Sequence, residues 1–166
     1  QNIIFGVGEK AVYGTDGETK GGQFDFSSVT AYTAADLENG GGEGGETPDE
    51  DITLYSETFG TNQGAFTIDD KELPEGTTFI WSFASGYGMK ASAYVNKTNY
   101  ASESWLVSPK FDCTNATALT LSFSEAANFF KSAENVSAYT SVKVKEVGTD
   151  TWTDLTLSAR AGGTNW

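Results

Sequence analysis

The chain contains no histidine, one cysteine, one methionine and three prolines, and only 10 of its 166 residues are lysine or arginine. Without histidine it lacks the side chain that most often acts as a general base near neutral pH and most often ligates transition metals. Histidine-based triads and typical zinc enzymes are thereby excluded. Cys113 stands alone, so neither an internal disulfide nor a thiolate zinc cluster can form. The 23 acidic residues against 10 basic ones give a net charge of −13, which repels phosphate backbones and anionic lipid head groups. Nucleic acid and membrane surfaces are therefore set aside as partners. No stretch approaches the roughly 20 apolar residues of a membrane span. The opening Gln1-Asn2-Ile3-Ile4-Phe5-Gly6 lacks the basic and longer apolar regions of a signal peptide. The protein is then intracellular, or exported with its targeting segment removed. Low lysine and abundant Thr, Ser, Asn, Gly and Tyr lean toward an exported β protein, and the lone cysteine toward bacterial rather than animal secretion.

What is present is 11 Phe, 7 Tyr, 4 Trp and 19 Gly. Bulky aromatics let a chain that is 38% hydrophobic build a core. The remaining chemistry is carboxylates, hydroxyls and aromatic rings, which suits calcium and sugars.

Residues 38–51 replace every bulky apolar residue with glycine and acid: six acids fall there with no base, and Pro48 stops any helix. This reads as an extended, flexible linker. It divides the chain into 1–37 and 52–166. The first stretch has strand-like runs at 3–5, 11–13 and 23–32. At about 37 residues it is below the size at which one core folds unaided. It is expected to be the end of an upstream β domain, or a few strands that dock elsewhere. In the second stretch, strands are expected at 52–59, 66–68, 79–83, 89–95, 104–107, 119–123, 141–147 and 152–157, with a hairpin through Gly148-Thr-Asp150. Leu119, Leu121 and Phe123 share one face. Val142 and Val144 alternate with outward Lys143 and Lys145. Many short strands without a helical stretch indicate an all-β antiparallel sandwich of the jelly-roll kind.

The order and wording of these strands carry a resemblance. Leu54-Tyr-Ser-Glu-Thr-Phe59, Gly64-Ala-Phe-Thr-Ile68, Trp81, Tyr100-Ala-Ser-Glu-Ser-Trp-Leu-Val-Ser-Pro109 and Ala118-Leu-Thr-Leu-Ser-Phe123 resemble the cleaved-adhesin or choice-of-anchor J domains. These are MAM-like jelly rolls of Bacteroidetes surface and secreted proteins. The resemblance covers residues 52–166. Residues 1–37 resemble only loosely the last strands of the OB-like domains that often precede such a module. The resemblance implies Trp105 in the core, a strand ended by Pro109 and a turn at 112–115. In the family further strands follow the one that Trp152 opens, so it also implies missing last strands and a sheet edge able to pair with another chain.

Three chemistries remain open. A structural calcium would take oxygen ligands; the resemblance places Glu57 there, with Asp69 or Asp70 contributing, against the alternative that all three are solvated rim charges. A glycan site would use exposed rings with polar neighbours; the densest stretch supplies Trp81, Tyr87, Tyr94 and Tyr100. Trp81, Trp105, Phe123 and Trp152 also fit the core. Catalysis by carboxylate pairs such as Asp69-Asp70 or Glu72 with Glu75 has no support from spacing, and Cys113 has no histidine to activate it. The expectation is a non-catalytic bacterial surface or secreted module for adhesion or for binding glycan or protein, or else a structural spacer of a larger surface lipoprotein or secreted hydrolase.

Overall fold

The computed structural model describes residues 2–11, 23–33, 53–114, 116 and 118–164. The expected linker at 38–51 and most of the run at 11–13 lie outside the described residues. Thirteen strands are described: β1 (Asn2–Ala11), β2 (Gln23–Thr33), β3 (Thr53–Glu57), β4 (Thr67–Glu72), β5 (Trp81–Ala84), β6 (Gly88–Ser92), β7 (Tyr94–Val95), β8 (Thr98–Asn99), β9 (Ser102–Val107), β10 (Phe111–Asp112), β11 (Leu119–Asn128), β12 (Thr140–Glu146) and β13 (Thr153–Asp154). One helix, α1 (Ala133–Tyr139), interrupts them.

All pairings are antiparallel and build two main sheets. Sheet A runs β13-β12-β1-β9-β4, with β10 also on β1; sheet B runs β11-β2-β6-β5, with β3 also on β2. The protein is therefore all-β, as its alternation predicts. Every strand expected between 52 and 157 has a counterpart. The 148–150 turn joins β12 to β13, which pair through Lys143↔Asp154 and Val144↔Thr153.

The strands before the expected linker pair with strands after it. β1 lies between β12 and β9, with Val7 opposite both Val142 and Leu106, and β2 lies between β11 and the pair β3 and β6. The strands of the first 37 residues are thus the central ladders of both sheets. A sequence pattern reports strand type but not partner, and pairing over distances of a hundred residues leaves no local trace.

The inner faces of the sheets meet in one core. Trp81, Met89, Ala91 and Ala127 of sheet B are buried with Leu106, Phe111 and Val142 of sheet A, each large apolar side chain contributing about 2 kcal/mol. On β9 the inward positions are Ser102, Ser104 and Leu106. The small Ser104 leaves room for the Trp81 indole, whose Nε1 donates to the Ser104 carbonyl at 3.3 Å. At one end, Phe59 packs edge-on against Phe66 at 5.0 Å, and Tyr55 lies 6.3 Å from Phe111, joining β3 to β10 across the layers. The expected turn after Pro109 begins with Asp112, whose Oδ1 accepts the Thr114 N–H at 2.9 Å and its hydroxyl at 2.5 Å. Those bonds hold the Asp112 carboxyl below the usual carboxylate range.

The helix is a departure from the expected pattern. Ser132 caps it, its hydroxyl accepting from Asn135 N, and only Val136 of its residues is buried. At seven residues it is too short for a readable apolar stripe. No described helix is long and apolar enough to cross a membrane, which says nothing of a β-barrel.

Candidate functional site

The expected ligand-binding set does not converge. Trp81 is 1% exposed and its indole N–H is engaged in the core, so it cannot present a ring to a ligand. Tyr87, 64% exposed, sits in the turn before β6; Tyr94, 58% exposed, follows its end. The five-residue β6 alone separates them by roughly 13 Å at 3.3 Å per residue. Tyr94 opens the β7–β8 hairpin, whose turn places Asn96 and Lys97 at φ 49° and 65°, the left-handed pair of a tight two-residue turn. Tyr100 is half-buried.

The expected calcium ligands are also kept apart. Glu57 ends β3 in sheet B, whereas Asp69 and Asp70 lie on β4 at the edge of sheet A. Asp69 pairs with Lys71 at 2.6 Å, and Asp70 accepts the Ser104 hydroxyl. Glu57 Oε1 accepts the N–H groups of Thr58 and Phe59 at 2.9 and 2.8 Å. A side-chain carbon at Gly64 would come 1.9 Å from Glu57 Oε2, so that carboxylate oxygen occupies the space the glycine leaves open. Glu57 thus closes the loop after β3. Among the described residues no three acidic or thiol side chains are grouped to hold an ion.

Two other places gather chemistry. The first is on the outer face of sheet A. The alternation that buries Ser104 and Leu106 turns Trp105 outward, half-buried instead of in the core. Trp152, just before β13, lies beside it, the rings 6.4 Å apart and 17° from parallel. A side-chain carbon on Gly6 of β1 would touch both indoles at 3.4–3.5 Å. The absence of one lets both rings settle over the central strand. Lys143 Nζ lies 5.3 Å from the Trp105 ring and Lys145 Nζ 5.1 Å from the Trp152 ring. Lys143 also pairs with Asp154 at 3.3 Å, and Trp105 Nε1 donates to Glu103 at 3.2 Å. The result is a flat aromatic strip rimmed by donors and acceptors.

The second is a groove of about 490 Å³ between β11 and the segment 156–161, walled by Leu121, Phe123 and Leu157. Alternation along β11 places Glu125 on the face of Leu121 and Phe123. Glu125 Oε1 accepts Arg160 Nε at 3.0 Å and the Ala161 N–H at 2.5 Å. Arg160 continues to Thr140, its Nη2 donating to the hydroxyl and Nη1 to the carbonyl at 3.4 Å.

Neither place was singled out in the sequence. For the groove a signal existed: an acid on an otherwise apolar strand face, and a single arginine in the whole chain. For the indoles, the outward turn of Trp105 follows from the same period as the inward serines.

Comparison with protein-family models, with curated proteins and with solved structures finds no match to this chain.

Proposed function

We propose that the protein is a non-catalytic glycan-binding module of a bacterial cell surface or secreted protein, its two sheets forming a variant of the jelly roll. The observation that carries this reading is the Trp105–Trp152 pair: two near-parallel, half-exposed indoles on a sheet face. Sugar rings present flat C–H faces to aromatic faces, while their hydroxyls need hydrogen-bond partners at the rim. Lys143, Lys145, Asp154 and Glu103 supply both donors and acceptors there. The reading does not depend on calcium, because Glu57 is engaged by the backbone of its own loop. Nor does it depend on a carboxylate pair.

Affinity gel electrophoresis through soluble polysaccharides, together with a glycan array, tests it. Retardation of the protein by at least one polysaccharide is expected, lost in Trp152→Ala and in Trp105→Ala while the fold is retained by circular dichroism. Retardation unchanged in both variants removes the site.

A second reading, the structural spacer, is favoured by one specific feature. Each indole already has a lysine of the same chain against it, and such contacts contribute about 0.5–1 kcal/mol each at exposed sites. On that reading the same variants lower the melting temperature and the native protein binds no glycan.

A further inference from the structure

We propose that the edge of β11 that no described strand pairs with is a docking site for an extended basic segment of a partner polypeptide, which adds a strand to sheet B and closes the adjoining groove. This is independent of the glycan reading, which uses the outer face of the other sheet.

The first observation is the edge itself. An unpaired strand edge presents a row of N–H and C=O groups that template further pairing, and proteins ordinarily blunt such edges. The other described edge strands of the two main sheets are short or charged: β10 has two residues and β3 five. β13 has two residues and β5 four, while β4 carries Asp69, Asp70, Lys71 and Glu72, all exposed. β11 is different. It has ten residues, pairs along its length with β2, and no described strand covers its other side. It holds no lysine and no proline, and its one charge, Glu125, points inward with a side chain only 8% exposed. Leu119, 41% exposed, opens the strand and Phe129, 65% exposed, follows it, so apolar surface brackets the edge.

The second observation is inside the groove. Glu125 Oε1 is saturated by Arg160 and Ala161, but Oε2 is buried with no hydrogen-bond partner. A buried acceptor left unmatched is costly, the more so when it belongs to a carboxylate. The groove beside it has apolar walls and room for side chains. An incoming strand with alternate apolar residues would fill those walls, lay its backbone along β11 and bring a hydroxyl or ammonium donor to Oε2.

Charge selects the occupant. The chain carries −13, which attracts a basic segment and repels a second copy. A second copy would also offer another carboxylate through its own β11 rather than a donor.

The test uses the whole chain and an eight-residue synthetic peptide alternating valine with lysine and threonine. The readouts are a fluorescence-polarisation titration and amide hydrogen exchange. Saturable binding is expected, with exchange slowed at least about tenfold within β11, equivalent to about 1.4 kcal/mol. The same peptide N-methylated at alternate residues is expected not to bind. Glu125→Gln is expected to weaken binding about tenfold. Because that change also touches the Arg160 pair, Ser124→Lys provides a second variant at an exposed edge position with the core untouched, and it should weaken binding similarly. Four results would overturn the proposal: β11 exchange unchanged at millimolar peptide, equal binding of the methylated peptide, displacement of the peptide by glycan fragments, or concentration-dependent self-association that protects β11 in the absence of peptide.

Discussion

Single side chains in this protein are explained by which face of a strand they occupy. Tyr55 on β3 shows how burial then becomes chemistry. Partial burial, and after it the negative Glu57 nearby, pushes its phenol above the ordinary value near 10. Folding therefore favours the neutral phenol. That contribution is fully present below the unfolded value and is lost as pH rises through the higher folded one. Chemical denaturation between pH 8 and 12 is expected to show a decline in stability above about pH 10 that is shallower in Tyr55→Phe; identical slopes would remove Tyr55 as a contributor. Glu57 itself was legible in the sequence as a residue of interest. Its actual partners, two backbone N–H groups immediately after it, were not, because loop closure depends on backbone geometry rather than residue type.

At the scale of elements, one small residue adds to the contacts that hold the segment after β13. Gly163 accepts from Phe130 N at 2.8 Å and Lys131 N at 3.2 Å, which ties the segment to the start of α1. Its φ is +80°, and a side-chain carbon there would lie 2.6 Å from the Ser132 carbonyl and 2.8 Å from the Val136 side chain. Gly76 has a similar φ of +82° with open space around it. Both substitutions to alanine incur the left-handed backbone penalty of about 1 kcal/mol, but only Gly163→Ala adds an overpacking cost of about 1–3 kcal/mol. Thermal melts are expected to rank Gly163→Ala well below Gly76→Ala; equal losses would show that α1 yields to the segment. Strand positions were readable here from period-two alternation, as on β9 and β12. The helix was not, since seven residues around one buried valine leave no periodic signature.

For the whole molecule, the placement of β1 decides what kind of object the chain is. With β12 on one side and β9 on the other, β1 completes the middle of sheet A. A variant lacking residues 1–11 is expected to lose cooperative thermal unfolding and near-ultraviolet circular dichroism, because β12 and β9 lose their shared ladder and Trp105 and Trp152 lose their floor at Gly6. A cooperative melt retained by the truncated chain would show instead that the fold forms without β1. The same assembly separates the two candidate surfaces, with the indoles on the outside of sheet A and the groove along the edge of sheet B. Glycan binding and strand docking can therefore be measured independently.

The sequence by itself determined the class of structure and the classes of chemistry. Alternating apolar and polar residues require strands with one buried face, and an inventory without histidine, with one cysteine and with a large acidic excess leaves carboxylates, hydroxyls and aromatic rings as its main chemistry. Only the tertiary structure decided which strands are neighbours. That choice buries Trp81, turns Trp105 and Trp152 outward together over Gly6, parts Glu57 from Asp69 and Asp70, and joins Glu125 to Arg160 across 35 residues. The reason is physical. Alternation is set by each residue's immediate neighbours along the chain, whereas a binding surface depends on contacts between residues far apart in it, which are fixed only when the sheets close on a common core.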